Sequence, residues 1–323
     1  MRVNTGIGKS GVVIAAILAL AMCLVSFIFK PVSVTPVEYG ICLDSPDYWN
    51  IDPFLSWIIN TSIIGLITLL LYLINKSFNF VRTPEPVLPV VFLIMACSCP
   101  WFTQSLNTST LLCLVNIVAM GISFGTYQIK NATQPLFTLG VMLGIGSMFQ
   151  YAFLPLGCIY LIWALFMKVL RFKELIAFFM GLLCPYWIAL GFGIIHFKDF
   201  HFPSLIPFFG ITHDHSDLLF LLSGIGLAII IGVITALSNS MKLYAGNSRV
   251  NSMNLCATIL GLGMIICILV DYENIPAYVL TLYMSTAIQI ANIPALWNVK
   301  YKWVVTVLPS SLFLILFIGN LIL

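Results

Sequence analysis

All four histidines of the chain lie between positions 196 and 215, interspersed with aspartates. His213 and His215 stand two residues apart, which places both imidazoles on the same side of an extended strand. His201 or Asp199 would complete a zinc-like set of nitrogen and oxygen ligands. The spacing matches no established metal motif, and the phenylalanines among these residues are typical of a segment lying on the bilayer surface. We favour a solvated or interfacial loop, with a divalent metal ion as the alternative prediction.

A second group of candidate side chains lies in the earlier polar stretch 30–52, which contains Asp44, Asp47 and Asp52. Carboxylates at the outer end of a membrane span could act as a base toward a lipid-linked substrate, or bind a divalent ion. Acids are also ordinary on a surface that carries several of them, and we favour that interpretation. If the chain is an enzyme, these three aspartates are the predicted catalytic residues.

The elements that position both groups must be apolar helices in a membrane. Of the 323 residues, 61% are hydrophobic and only 8% are charged, whereas a soluble domain has roughly 25% charged residues. There is too little polar sequence to cover a soluble core, so hydrocarbon must surround most of the chain. The net charge of +3 is scattered along the sequence, which argues against a nucleic-acid partner. The sequence predicts an all-α, polytopic transmembrane helical bundle, with residues 1–323 in a single transmembrane domain and no separate soluble domain.

The apolar residues form about eleven segments. The first ends without the small-residue pattern of a signal-peptide cleavage site, so we predict that it is a retained span. Several segments are shorter than the roughly 20 residues that cross a bilayer, and those near 87–102 and 136–167 could cross fully or re-enter. The predicted segments are 11–29, 53–74, 87–102, 106–129, 136–149, 154–167, 175–195, 218–237, 255–270, 277–293 and 304–323.

The distribution of basic residues predicts the orientation. With the N-terminus in the cytoplasm, every one of the 14 lysines and arginines except Lys30 and Lys198 falls in a cytoplasmic loop, as the positive-inside rule requires. An odd number of spans then places the C-terminus outside. We predict a multi-pass protein of a bacterial inner membrane, with the lipid bilayer as its first partner.

The predicted spans contain no Asp, Glu, Lys, Arg or His. Proton-coupled transporters usually carry such groups at membrane depth, so proton-coupled transport is disfavoured. The polar residues Asn60, Thr61, Asn116, Gln289 and Asn292 could contribute to a sodium site at a broken helix. We favour the simpler interpretation that they join helices by hydrogen bonds.

Three glycines stand close together in the segment 136–149. Gly140, Gly144 and Gly146 give this segment a face of small residues, which permits close helix packing. The segment lacks the pattern of a nucleotide-binding loop. The glycines therefore predict a structural role.

The region 135–186 carries a family resemblance. Its motifs are Phe-Thr-Leu-Gly-Val-Met-Leu-Gly-Ile-Gly-Ser-Met-Phe-Gln-Tyr, Tyr-Leu-Ile-Trp-Ala-Leu-Phe, Arg171 and Gly-Leu-Leu-Cys-Pro-Tyr. These residues resemble a bacterial family of polytopic inner-membrane proteins without an assigned activity, some of which carry a carotene-monooxygenase label. Membrane enzymes of carotene cleavage hold histidines in their helices, and the histidines here are in a predicted loop.

The same region is more distantly similar to the GT-C type glycosyltransferases, which use polyprenol-linked sugars. That resemblance implies a fold beginning with a span, an acidic external loop and a second span, with Asp44 and Asp47 in the loop. This chain departs from the pattern because the two acids are not adjacent and no large external domain follows.

The leading functional prediction is a non-enzymatic scaffold or partner of other membrane proteins in envelope biogenesis. The alternatives are a GT-C-like transferase acting on a lipid-linked donor at the external face, and a transporter or flippase for a lipid or apolar solute. A cavity beside Asp47 would favour the transferase, a polar path through the spans the transporter, and a filled interior the scaffold.

Overall fold

The fold is a bundle of α-helices, as predicted. The computed structural model describes residues 9–29, 40–81, 86–201, 218–243, 248–271, 274–296 and 302–322, and these ranges contain no β-strand. Each predicted apolar segment corresponds to one helix. The helices are α1 (Lys9–Phe29), α2 (Pro53–Phe78), α3 (Val87–Cys97), α4 (Thr108–Gly125), α5 (Thr133–Phe149), α6 (Leu156–Phe166), α7 (Phe172–Gly191), α8 (Leu218–Leu243), α9 (Ser248–Val270), α10 (Ile275–Leu296) and α11 (Lys302–Ile322).

Helix length separates two groups within the bundle. In the described ranges, six helices are long and apolar enough to cross a membrane, namely α1, α2, α4, α7, α8 and α9. Helices α3 and α6 have eleven residues each, so each rises only about 17 Å at 1.5 Å per residue. This is roughly half of the 30 Å hydrocarbon core. The shortest helices therefore lie in the regions 87–102 and 136–167. These are the two regions for which the sequence did not decide between crossing the membrane and re-entering it.

Side-chain caps fix where two of the long helices begin. The carboxylate of Asp52 accepts hydrogen bonds from the backbone N–H groups of Phe54 and Leu55, each at 3.2 Å, and Pro53 occupies the first helical position of α2. The side chain of Asn107 caps α4 in the same way. Such caps satisfy N–H groups that have no partner inside the helix.

Helices α5 and α7 pack with their backbones almost in contact. Gly140 lies against Phe178 and Gly181, and Gly144 lies against Leu182. The contact positions advance in the same direction along both helices, so α5 and α7 run parallel. Helix α6, which connects them in the sequence, brings the chain back in the opposite direction. The predicted small-residue face is confirmed for Gly140 and Gly144.

Gly146 has a different neighbour. A methyl group there would overlap the ring of Phe153, which lies in the turn before α6. This glycine makes room for the turn that reverses the chain after α5.

Helix α10 is the centre of the bundle. It contacts α3, α4, α8, α9 and α11, and every residue from 277 to 292 is buried. Its polar residues lower its mean hydropathy, so it is not among the six helices that are long and apolar enough to cross a membrane. A helix enclosed by protein can carry polar side chains, because neighbouring helices rather than lipid receive them.

Replacing Gly140 by alanine tests the α5–α7 contact. The added methyl group would overlap the carbonyl oxygen of Phe178, and such overpacking costs about 1–3 kcal/mol. Gly65→Ala in α2 is the matched control, because nothing lies within 4 Å of the position that its methyl group would take. We expect Gly140→Ala to lower the free energy of unfolding in detergent micelles and Gly65→Ala to leave it unchanged or raise it. Equal stability of the two variants would contradict the packing.

Candidate functional site

A groove lies between α8 and α9, with α10 as its floor. Both outer helices contact α10 much more extensively than they contact each other. The space between them has a volume of about 160 Å³. Its floor is formed by Leu282, Ser285, Thr286 and Gln289 of α10, and its walls are mostly aliphatic side chains of the other two helices.

The groove opens sideways, toward the surroundings of the bundle. Leu237 on one rim is 60% exposed and Leu262 on the other is 51% exposed. Both lie in helices long and apolar enough to cross a membrane. In a bilayer the mouth of the groove would therefore face lipid chains and not water.

Hydroxyl groups on the floor are bonded to the backbone of the walls. Ser285 Oγ donates to the carbonyl oxygen of Ala257 at 2.7 Å, and Thr286 Oγ1 donates to that of Ala228 at 3.3 Å. Gly232 and Gly261 stand directly opposite these hydroxyls, where a larger residue would collide with them. The donors on the floor are thus used within the protein.

A layer of amides and hydroxyls crosses one end of the groove. Gln289 Nε2 donates to Thr258 Oγ1 at 3.0 Å, and Asn239 Nδ2 donates to Gln289 Oε1 at 3.1 Å. One turn further along, Asn292 Nδ2 donates to Asn254 Oδ1 at 2.6 Å. The groove consequently has a polar end and an apolar end, and little of its surface offers a free hydrogen-bond donor.

The polar residues predicted to join helices do so at three of five positions. Gln289 and Asn292 bond to α9 as described above. Asn116 of α4 accepts from Tyr160 Oη at 2.9 Å and donates to Thr281 Oγ1 at 3.3 Å.

Of the other two positions, Asn60 is partly bonded and Thr61 is not bonded. Asn60 donates to the backbone oxygen of Phe102. Its side-chain oxygen and the hydroxyl of Thr61 have no hydrogen-bond partner.

A buried carboxylate directly follows the C-terminal end of α9, and the sequence did not reveal it. Asp271 is 3% exposed. It accepts hydrogen bonds from Tyr278 Oη at 2.9 Å, from Tyr151 Oη at 3.3 Å and from Asn274 Nδ2 at 3.0 Å. Gln150 Nε2 donates to Asn274 Oδ1 at 2.6 Å. Charged groups are rarely buried unless hydrogen-bonded in this way, and here the bonds join the turn after α5 to α9 and α10.

Glu174 is the second acid whose environment differs from the prediction. Both Glu174 and Asp271 lie just outside the apolar segments predicted from the sequence, 175–195 and 255–270. Glu174 lies in the first turn of α7 and is 2% exposed. Helix α7 begins three residues before the predicted apolar segment, and this earlier start includes the glutamate within the packed part of the helix.

The three predicted catalytic aspartates have different surroundings. Asp47 accepts from Ser45 Oγ at 2.9 Å and from the backbone N–H of Thr108 at 3.3 Å, and it also bonds the Thr108 hydroxyl. It thereby joins the segment before α2 to the start of α4. Asp52 caps α2, and the side chain of Asp44 is exposed. None of the three lines the groove.

The predicted metal ligands are only partly within the described ranges. His213 and His215 lie outside them. Asp199 Oδ2 accepts from the backbone N–H of His196 at 2.7 Å, and the backbone N–H of His201 donates to the Ile41 carbonyl at 2.9 Å. Within the described part of the chain, no three His, Cys, Asp or Glu side chains come together as a metal ion would require. Binding of a divalent ion stays a prediction.

The segment after α7 meets the segment before α2 near Cys42. Burial, and to a lesser extent the charge of Asp199, raise the pKa of the Cys42 thiol to about 11. A thiol with this pKa is protonated at neutral pH and therefore a poor nucleophile. The contact between the loops is structural.

Replacing Asp271 by alanine tests the buried carboxylate. The hydroxyl groups of Tyr151 and Tyr278 would lose this acceptor, and an unsatisfied buried polar group costs about 1–3 kcal/mol. Asp44→Ala removes an exposed carboxylate and is the matched control. We expect equilibrium unfolding in mixed micelles to show a loss of this size for Asp271→Ala only. A variant as stable as Asp44→Ala would contradict the structural role.

Comparisons with known proteins add no assignment to this geometry. The chain matches no protein-family model. It also matches no curated protein and no solved structure. The resemblances to a bacterial inner-membrane family and to GT-C type glycosyltransferases therefore stay predictions, which depend on the residues quoted above.

Proposed function

We propose that this helical membrane protein takes up one hydrocarbon chain of a lipid, or a similar apolar solute, from the side. The observation that carries the proposal is the groove between α8 and α9, whose floor is the buried helix α10 and whose mouth faces the bilayer. The predicted location in a bacterial inner membrane is part of the proposal. A lipid-binding role corresponds to the lipid transporter or flippase that the sequence left as an alternative.

The dimensions and chemistry of the groove suit part of an apolar chain. Its volume of about 160 Å³ is close to that of an apolar cavity of about 150 Å³ that stays dry and binds benzene. The hydroxyls of Ser285 and Thr286 already donate to backbone oxygens. An apolar ligand would leave these bonds intact.

The transferase alternative has less support from the geometry. It needs a cavity beside the external aspartates, but Asp47 holds the start of α4 and Asp52 caps α2. Removing either carboxylate would weaken a helix end whether or not the protein were an enzyme. The aspartates are therefore better explained by folding than by catalysis.

A scaffold is the second candidate function, and the filled interior favours it. Residues 277–292 of α10 are all buried, and their polar side chains bond to neighbouring helices. A bundle of this kind can hold a partner protein without binding a substrate. The lipid-binding role requires a hydrocarbon chain in the groove, whereas the scaffold role does not.

Photochemical labelling distinguishes these candidates. A phospholipid with a diazirine near the end of one chain would be irradiated with the protein in nanodiscs, and the labelled residues identified by mass spectrometry. We expect labelling of the groove lining, including the α9 residues Leu262 and Ile265. Ala236→Phe, which places a ring in the groove, should lower this labelling at least fivefold.

Ile234→Phe is the matched control. It adds the same ring on the same helix at an exposed position outside the groove, so labelling of the groove should not change. Equal labelling of the groove in both variants, or labelling spread evenly over the exposed faces of all helices, would contradict the proposal and favour the scaffold.

A further inference from the structure

We infer that Cys23 of α1 and Cys97 of α3 are a redox pair, which exchange with an external disulfide joins by a covalent bond. This bond fastens the first helix to the rest of the bundle. The inference is independent of the groove, because both cysteines lie in other helices. It depends on the distance between the two sulfur atoms, on the burial of both side chains and on the peripheral position of α1.

The two sulfur atoms are neighbours in space although their residues are 74 positions apart in the sequence. Cys23 Sγ donates a hydrogen bond to Cys97 Sγ at 3.5 Å. The sulfurs of a disulfide bond are about 2.05 Å apart, so these two atoms would have to approach by roughly 1.5 Å. Rotation of both side chains about their Cα–Cβ bonds supplies a displacement of this size. The bond therefore requires no rearrangement of the helices.

Both thiols are enclosed by protein. Cys23 is 2% exposed and Cys97 is 1% exposed. Ala19, Met22 and Phe317 complete the buried cluster around them. These neighbours keep other thiols away, so each of the two cysteines has the other as its nearest reaction partner when α1 is in place.

Helix α1 lies on the outside of the bundle. Its principal neighbour is α3, and on its outer side Ile14 is 66% exposed and Ile28 is 70% exposed. Helix α3 is buried along almost its whole length and contacts α10. Apolar helices gain little by exchanging lipid contacts for contacts with each other. A covalent bond would therefore strengthen an attachment that packing alone leaves weak.

The predicted orientation puts the pair on the side of the membrane where disulfides persist. Cys97 is the last residue of α3, and Cys23 lies within the last two turns of α1. With the N-terminus in the cytoplasm, as predicted, both helices run outward, and both thiols lie toward the outer face. The compartment outside a bacterial inner membrane is oxidising. An external disulfide is therefore the class of oxidant that the pair would meet there.

The reaction consists of two thiol–disulfide exchanges. The deprotonated sulfur of one cysteine attacks an external disulfide R–S–S–R, forms a mixed disulfide and releases the first RSH. The second cysteine attacks the sulfur of the first, forms the bond between Cys23 and Cys97 and releases the second RSH. The two cysteines lose two hydrogens and two electrons in total, and the external disulfide is reduced to two thiols. Because both cysteines are buried, the first attack takes place while α1 is separated from α3.

Peptide mass spectrometry tests the inference. The full chain in nanodiscs would be reduced, freed of reductant and treated with dipyridyl disulfide, a small apolar disulfide. Free thiols would then be blocked with N-ethylmaleimide before digestion. We expect peptides linked through Cys23 and Cys97 in most chains, and we expect dithiothreitol to release the link. In Cys97→Ser, Cys23 should be linked to no other cysteine of the chain.

The matched control moves the thiol of α1 by one helical turn. The double variant Cys23→Ala, Ala19→Cys keeps one cysteine in the same buried cluster, about 6 Å along the helix axis from the original position. We expect its link to Cys97 to be at least tenfold less abundant than the link in the unaltered chain. Cys158→Ser removes an exposed thiol of α6 and should leave the link between Cys23 and Cys97 unchanged.

Three outcomes would overturn the inference. One is the absence of linked peptides after treatment with the disulfide. Another is a linked fraction as large in the displaced-thiol control as in the unaltered chain, because the link would then report general motion of α1 and not the observed contact. The third is a link from Cys23 to a cysteine other than Cys97.

Discussion

Hydrogen bonding of the buried polar side chains of α10 is the constraint on which the rest of the structure depends. In hydrocarbon, a polar group without a partner is costly, and water is not available to supply one. Gln289 therefore bonds to α9 and α8, Asn292 bonds to α9, and Thr281 accepts from α4. Near the N-terminal end of α10, Tyr278 bonds to Asp271. These bonds fix which helices surround α10 and in what register.

The groove is a consequence of this arrangement. Helices α8 and α9 are each bonded to α10, so their positions are set by the central helix and not by contact with each other. Glycines at positions 232 and 261 bring both helices close to the hydroxyls of the floor. The space left between them faces the bilayer, and hydrocarbon chains are the molecules that surround it. Helices α5 and α7 show the opposite case, in which glycines on both partners close the gap completely.

The sequence predicted the helices well, because long apolar runs report directly on the solvent around the chain. It placed several ends too early or too late. Helix α2 continues to Phe78 and α9 begins at Ser248, because polar residues such as Asn75 and Asn254 stay helical where they bond to protein. An apolar run in the sequence marks the part of a helix that contacts lipid, and the helix can continue beyond that part.

The candidate site was harder to predict from the sequence than the helices were. Asp271 borders a polar segment in the sequence, and its burial depends on Tyr278, which lies beyond that segment, and on Tyr151, which comes from a distant position. The groove depends on the spacing of three helices, and no residue pattern encodes that spacing locally. By contrast, the importance of Gln289 and Asn292 was readable, because an amide within a span must have a partner.

An experimental map of the protein in nanodiscs made from native membrane lipids tests most directly whether the groove holds a hydrocarbon chain. We predict elongated density between α8 and α9, in contact with Ser285 and Thr286 on the floor of the groove, with the rest of α10 shielded from lipid by the surrounding helices. Direct packing of α8 against α9 over the whole of this region, with no density between them, would contradict the proposed function.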